Sequence, residues 1–472
     1  MKKEEDNRKS RISRRDFMGA AAAVAAFTLA PQRGAGFTIV PRHVLGGRGR
    51  SSANGKLNIA GIGVGGRGAS DLKALSRENI VALCGVDWGS AAGTFKRYPE
   101  AKRYKDFRRM LDKEAKNIDA VVIGAPDHIH APAAIMAMKM GKHVYCEKPM
   151  AHTIYEARRM AEVARETGVV TQMGNQGHAS EGLRLTYEFI KDGAIGTVRE
   201  VHVWTDRAGV PERAWWPQGI DRPKGSWPVP ETLDWDMWLG PARWRPYAKF
   251  LNSKGELVSY CPFNWRGWWD FGCGALGDMA VHNADPAFFC LDLGAPIAAE
   301  AETSPVNDET FPVWNIITYY FPAKGNRPAI KLVWYDGGKL PERPPELEEN
   351  RRLGGNGILF VGDKGKLLGP SHAGVPRLIP ESRMKEYGKP PQMLPRSIGH
   401  HEEWAQACKD NNPKGALGGF AYSGPFTEAL LVGNLAVRLG RKIAWDTEKM
   451  RSPNAPEADN YITKFYRVGW SV

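Results

Sequence analysis

Cysteine is scarce and unpatterned in this chain of 472 residues: six stand at positions 84, 146, 261, 273, 290 and 408, with no Cys-x-x-Cys and no zinc-type spacing. That excludes a metal-finger or dithiol-exchange reading. Most of the six read as reduced core residues, although an even number in an exported chain allows disulfides. A membrane-spanning run is also lacking. The apolar stretch Met18–Ala30 has thirteen residues, against the ~20 that a transmembrane helix needs. Basic charge is short as well once its position is considered. The net charge is +13, but residues 1–56 hold 12 Lys/Arg against 4 Asp/Glu, leaving +5 for the rest. A nucleic-acid partner, which a basic balance would suggest, therefore has no support.

What is present begins with a leader. Ser13-Arg14-Arg15-Asp16-Phe17-Met18 is a twin-arginine pattern ahead of that alanine-rich run, so residues 1–31 read as a signal segment and 32–56, rich in Gly, Arg and Ser, as a linker. The expected partner is the twin-arginine export machinery, and the expected location is the periplasm or elsewhere outside the cytoplasm. That route carries folded proteins, which suits a chain that takes up its cofactor first.

The length implies two domains. From Leu57, strand and helix alternate. Leu57-Asn58-Ile59-Ala60 enters Gly61-Ile62-Gly63-Val64-Gly65-Gly66-Arg67-Gly68, a strand, glycine turn and helix. A second strand, Ile80–Val86, ends on Asp87, where a carboxylate would accept hydrogen bonds from an adenosine ribose and repel a 2′-phosphate. The plainer alternative is that Asp87 caps the next helix. A third strand, Ile118–Gly124, runs into Ala125-Pro126-Asp127-His128-Ile129-His130, and a fourth, His143–Cys146, into Glu147-Lys148-Pro149. Thr153-Ile154-Tyr155-Glu156 then forms a capping box. This alternation predicts an α/β fold with a doubly wound parallel sheet of Rossmann type over 57–176, its ligand at the carboxyl edge.

Residues 177–472 read as an α+β domain with a large mixed or antiparallel sheet. Strands are expected at 198–205, 298–303, 314–321, 329–335 and 357–368, with long loops at 338–352 and 370–396 and closing helices at 399–410 and 424–440. Ten of the 16 tryptophans run from Trp204 to Trp269, nine of them in a Pro- and Gly-dense insert over 206–269. These rings either pack together as an accessory core or bury the apolar faces of a sugar.

The second chemical stretch is Gly272-Cys273-Gly274-Ala275-Leu276-Gly277-Asp278-Met279-Ala280-Val281-His282. On a helix Asp278 and His282, four apart, share a face. A carboxylate that orients an imidazole and favours its protonated form suits proton transfer. As a metal pair they lack an evident third ligand, so no metal is expected.

These motifs together resemble the glucose–fructose oxidoreductase/inositol dehydrogenase (Gfo/Idh/MocA) family, from Leu57 to the closing helices. The resemblance implies an enzyme, an NAD(H)-dependent oxidoreductase working on a CH–OH group. Lys148 would contact the reacting hydroxyl and help place the nicotinamide. His282 would take the hydroxyl proton, and Asp278 would orient His282 or share the relay. Cofactor contacts are implied for Gly61, Gly63, Gly66, Arg67, Asp87, Pro126, His130, Glu147 and Lys148, with NAD favoured over NADP. Substrate contacts are implied for Asn175, His178, Arg266, Trp268 and His282. The Lys148–Pro149 bond is a candidate cis peptide, and a homo-oligomer is expected. One departure is Gly124, where many members carry a small hydroxyl residue.

Three functions follow. The first is oxidation of a secondary hydroxyl of a sugar, cyclitol or glycoside, with the cofactor held tightly because no free NAD pool exists outside the cytoplasm. The second is redox-neutral glycoside cleavage through a transient keto intermediate. The third, a Rossmann-type sensor, leaves the Lys148, Asp278 and His282 set without a task.

Overall fold

The computed structural model describes residues 55–207 and 215–472, and the twin-arginine leader lies outside the described residues. Six strands, β1 (Asn58–Ile62), β2 (Asn79–Cys84), β3 (Lys102–Tyr104), β4 (Ala120–Ile123), β5 (His143–Glu147) and β6 (Thr171–Gly174), form a parallel sheet in the order β3-β2-β1-β4-β5-β6. The central strands β4 and β5 are buried along their whole length, β4 as a continuous apolar run and β5 with the polar His143 and Glu147 at its two ends. The strand order reverses between β1 and β4, the switch point at which open α/β sheets bind ligands. The helix Ile154–Thr167 starts on the expected capping box, with both reciprocal Thr153–Glu156 hydrogen bonds made, and ends on Gly168 at φ 65°.

The second sheet is larger and mixed. It comprises β7 (Val198–Trp204), β10 (Ala298–Thr303), β11 (Asn315–Phe321), β12 (Ile330–Tyr335), β13 (Gly357–Gly362), β14 (Gly365–Pro370), β15 (Arg377–Ile379) and β16 (Ile443–Ala444), in the order β15-β14-β13-β7-β12-β11-β10-β16. Only β7 and β12 pair in parallel within it. The run 357–368 is a hairpin rather than one strand, turning at Gly362–Gly365. The stretch 370–396 is not all loop, since it contains β15 and a helix, Glu381–Tyr387. β11 alternates buried and half-buried positions, with Ile317, Tyr319 and Phe321 facing the core.

The long helix Phe420–Leu439 lies between the two sheets, packing on the helix Ile154–Thr167 and on β10 and β11. Two glycines make this possible. A Cβ at Gly424 would meet the Ala161 Cβ at 2.7 Å, and one at Gly433 would collide with the Tyr319 hydroxyl. That hydroxyl donates instead to the Leu430 carbonyl at 2.7 Å. The helix His400–Lys409 returns to the first domain, where Trp404 joins Ile59, Leu72, Leu83 and Tyr145 in the core on one face of the six-stranded sheet.

The tryptophan-rich insert builds a core of its own. Trp235, Trp238, Tyr247, Phe250, Tyr260, Trp265, Trp268 and Phe271 cluster together above the short hairpin of β8 (Lys249–Leu251) and β9 (Leu257–Ser259). Trp235 and Trp238 stack face to face, with centroids 4.8 Å apart and planes 10° from parallel. Trp238 also lines a hollow of about 60 Å³ with Gly63, Pro126, Met237 and Trp470 at the carboxyl edge of the first sheet. All six cysteines are free, five of them buried. Among the described residues no helix is long and apolar enough to cross a membrane.

Candidate active site

The glycine turn is held by close packing. Gly63 has φ 75°, and a Cβ there would meet the Ala125 backbone nitrogen at 2.5 Å. A side chain on Gly68 would strike the Gly63 carbonyl, and one on Gly124 would sit 2.5 Å from the Gly68 Cα. Gly124 is therefore glycine because turn, helix and β4 meet at that point. Gly61 packs β1 under Leu72, and a Cβ at Gly66, with φ 46°, would face open space. The helix Gly66–Ala74 has no side-chain cap at its N-terminus, so its first N–H groups are free to take a phosphate. A dinucleotide fits here: the turn admits close backbone approach, and the helix supplies donors.

Asp87 serves as the cap of the helix Trp88–Arg97. Its Oδ1 accepts from Gly89 N at 3.0 Å, Ser90 N at 3.2 Å and the Thr232 hydroxyl at 3.1 Å. The insert is pinned beside it, with Trp88 N donating to Thr232 O and Asp234 N to Val86 O. Arg67 bridges Asp71 and Glu147, each at 3.1 Å. Gln176 donates to the same Glu147 oxygen at 2.8 Å. Burial, and then the Asp71 charge, push the Glu147 carboxyl up from the ordinary carboxylate range.

Lys148 follows, on a cis peptide bond to Pro149. Its Nζ donates to both the Oδ1 and the main-chain carbonyl of Asp278, each at 2.7 Å. Arg266 Nε reaches the same Oδ1 at 2.9 Å, its guanidinium lying over the Phe263 and Trp265 rings. Burial opposes ionisation of Asp278, but the Lys148 and Arg266 cations outweigh it and hold the carboxyl well below its usual range. Beside them Asp127, buried on the helix Asp127–Lys139, accepts from Cys273 N at 3.0 Å and is pushed up to about 7 by burial.

His282 is not oriented by Asp278, and this corrects the expectation drawn from their spacing. Leu276–Ala280 is a π-turn rather than an α-helical one, so the four-residue offset does not bring the two side chains together. His282 Nδ1 instead meets Asn175 Oδ1 at 2.8 Å. An amide oxygen only accepts, so Nδ1 carries the proton and Nε2 keeps its lone pair. Burial, then the nearby Lys148 and His372 charges, drive the His282 pKa well down, so the ring is neutral rather than the imidazolium that an Asp partner would favour.

His372 is the residue that sequence reasoning missed. Its ring stacks on His282, with centroids 4.2 Å apart and planes 28° from parallel. His372 and Ala373 both have positive φ, 58° and 50°, an uncommon state for side-chain-bearing residues that concentrates at functional sites. The turn is clamped by Asn283 Oδ1, which accepts from the Ser371 hydroxyl at 2.9 Å and from His372 N at 3.2 Å. The only signal in the sequence is a histidine in a Ser-His-Ala-Gly loop, which is too common to single out.

Asn175 and His178 come from the short turn after β6. His178 Nδ1 meets Asp285 at 2.9 Å, and the Tyr422 hydroxyl donates to the other Asp285 oxygen at 2.6 Å. Asn175 Nδ2 and His178 Nε2 are buried without a protein partner, as groups reserved for a bound molecule would be. Two expected contacts are overturned. Trp268 is 0% exposed, its ring packed on Phe250 and Tyr260 inside the accessory core, so it cannot meet a substrate. The His130 ring lies between the Pro149 and Ala125 carbonyls, at 2.8 and 2.7 Å, and braces the Lys148–Pro149 turn instead of a cofactor. Pro126 begins that same helix and lines the 60 Å³ hollow.

Comparison with known proteins agrees with this architecture. Residues 57–175 match the model of an oxidoreductase family with an NAD-binding Rossmann fold, and residues 186–330 that family's C-terminal alpha/beta domain. The inositol 2-dehydrogenase of Salmonella typhimurium is 31% identical over 153 residues, 31% of this chain and 44% of the relative. A glycosyl hydrolase family 109 protein of a Shewanella strain is 27% identical over 43% of this chain and 47% of its own length. The chain thus spans less than half the length of these curated relatives. Among solved structures, the WlbA dehydrogenase from Bordetella pertussis, in complex with NADH and UDP-GlcNAcA, superposes with a TM-score of 0.55 at 18% identity, over 83% of this chain and 99% of that one. The glycine turn, the Glu-Lys-Pro element and both domain matches have one source: the chain belongs to the Gfo/Idh/MocA oxidoreductase family.

Proposed function

We propose that this protein is an oxidoreductase using NAD(H), in preference to NADP(H), on a secondary hydroxyl of a sugar, cyclitol or glycoside. The observation that carries this reading is the pairing of Lys148 with Asp278 beside a neutral His282, at the carboxyl edge of the dinucleotide sheet. A bound nicotinamide supplies the hydride acceptor. His282 Nε2, whose lone pair is kept free by Asn175, accepts the hydroxyl proton. Lys148, anchored on Asp278, donates to the hydroxyl oxygen and stabilises its developing negative charge. Arg266 keeps Asp278 ionised, and His372 limits the rotation of His282. Asn175 Nδ2 and His178 Nε2 are the unpartnered groups that a polyol would engage. Selectivity for NAD rests on the Asp87 charge, whose Oδ2 makes no capping bond.

The inositol 2-dehydrogenase relative supports a carbohydrate-like substrate. The leader supports export through the twin-arginine route to the periplasm, and hence a tightly held cofactor. Assembly as a homo-oligomer belongs to the same proposal. The glycosyl hydrolase relative favours a second reading, in which a ring hydroxyl is oxidised to a ketone with its hydride held on the cofactor, the aglycone is eliminated, water adds to the resulting enone and the same hydride reduces the ketone again. Native mass spectrometry of the exported protein tests cofactor retention and assembly together. Stable NADH absorbance on adding a glycoside supports the first reading, sugar release without it supports the second, and neither response with any cyclitol, sugar or glycoside removes both.

A further inference from the structure

A cavity of about 250 Å³ opens beside the segment Trp269–Gly272, and neither Lys148, Asp278, His282 nor Asn175 lines it. Its most unusual feature is Arg438. The guanidinium carbon lies 4.1 Å from the Trp269 ring centroid and 4.7 Å from that of Tyr461, whose hydroxyl also faces the guanidinium. Among the described residues no carboxylate forms an ion pair with Arg438, and none does with Arg243, which lies over Phe465 in the same cavity. Burial pushes the Arg438 pKa down, with the Tyr461 hydroxyl and the Asp308 and Asp270 charges only partly offsetting it, so a bound anion would favour the charged form.

The other charges here are already engaged. Lys464 holds Glu156 at 2.8 Å and touches His152 Nδ1 at 3.1 Å, while Asp270 is paired with Arg245. The neutral polar groups are not. Asn434 lies one turn before Arg438 on the same helix face, and Asn434, Asn460 and Thr463 make no side-chain hydrogen bond to protein among the described residues. Tyr461 and Phe465 add apolar ring surface at the mouth, at 36% and 60% exposure.

A guanidinium with no ion pair, three amide or hydroxyl side chains without a protein partner among the described residues, and exposed aromatic ring surface point to one ligand chemistry. We propose that this cavity is a second binding site, for a small sugar acid. The Arg438 N–H groups not turned to Tyr461 take the carboxylate, with Arg243 adding charge. Asn434, Asn460 and Thr463 take ring hydroxyls, and the aromatic rings cover the C–H face. The volume, below the ~300 Å³ at which drug-sized pockets begin, suits a single ring. The site also communicates with the first. His152 Nε2 binds the Trp269 carbonyl at 2.9 Å, and a Cβ on the lining residue Gly272 would meet the Arg266 Cα at 2.8 Å. A ligand held by Arg438, which packs on Trp269, therefore bears on the segment that delivers Arg266 to Asp278.

Titration calorimetry of the cofactor-loaded protein with D-glucuronate, D-glucose and inorganic phosphate tests this. Glucuronate is expected to bind at millimolar concentration or below, and to weaken about tenfold or more in both Arg438→Gln and Asn460→Asp, with cofactor content and melting temperature unchanged. Asn460 is exposed, so its variant decides the matter if Arg438→Gln fails to fold. Equal binding of glucose would remove the role of charge. Equal binding of phosphate would remove the sugar ring, and glucuronate binding that is absent or untouched by both variants would remove the site.

Discussion

Lys148 and Asp278 are joined twice, the ammonium donating at 2.7 Å to both the carboxylate and the main-chain carbonyl of the same residue. A lysine gripped in this way has its position set by the second domain, while its backbone belongs to the first. Asp278→Asn keeps the shape and the carbonyl contact but removes the charge shared with Arg266. We expect kcat to fall about 10²-fold, in the range set by a lost positioning or acid–base group, with bound dinucleotide unchanged. Single-turnover absorbance measurements on the loaded enzyme would read this, and a simultaneous loss of cofactor would assign Asp278 to binding instead.

The Asn175–His282 contact makes a prediction about pH. Because burial depresses the His282 pKa, the proton-accepting neutral ring persists as pH falls through the ordinary histidine value of ~6.5. In the wild type, kcat/KM should show no acid limb there. Asn175→Asp puts a carboxylate on Nδ1, stabilises the imidazolium and raises the pKa. Activity should then begin to fall at a higher pH than in the wild type, within about pH 5–8. Superimposable profiles for the two proteins would mean that His282 is not the proton acceptor.

Gly124 separates packing from chemistry. Restoring the hydroxyl residue common in the family, Gly124→Ser, places a Cβ 2.5 Å from the Gly68 Cα, and neither backbone can yield without opening the glycine turn. The expected cost is about 1–3 kcal/mol of stability, typical of overpacking, together with less co-purifying dinucleotide. Thermal unfolding and cofactor content measured on the same sample would report both.

Asp87 has two roles that a single substitution can divide. Asn caps helices as well as Asp does, so Asp87→Asn should leave the melting temperature within a few degrees while removing the charge that disfavours a 2′-phosphate. NADP(H) should then gain on NAD(H) by about tenfold. If binding assays on the stripped protein show the ratio unmoved, Asp87 is a cap and nothing more.

The first domain was readable because its signals are local. A buried parallel strand, a glycine turn and the Thr153–Glu156 capping box each lie within a few consecutive residues. The site was readable as a roster but not as a wiring diagram. The Asp278–His282 spacing implies a shared face only on a regular α-helix, and the π-turn at Leu276–Ala280 breaks that premise. The actual partners, Lys148, Arg266 and Asn175, are contributed by other turns of the chain, at separations that no periodicity encodes. His372 was invisible for the same reason, its place over His282 being fixed by a left-handed turn held on Asn283. Among the tryptophans, composition gave the cluster its weight but could not say which rings face inward, and Trp268 proved to be core.

The stacked pair Trp235–Trp238 has an optical consequence. Trp238 shares its hollow with Gly63 and Pro126, at the nucleotide end of the sheet, while its partner lies only 4.8 Å away. Indole emission overlaps the absorption band of reduced nicotinamide, and two indoles in van der Waals contact exchange excitation readily. Light absorbed in the accessory core therefore has a short path to whatever is bound at the glycine turn. Reduced nicotinamide bound at that turn is therefore expected to quench the emission of this pair, a readout of its redox state that needs no label or added dye.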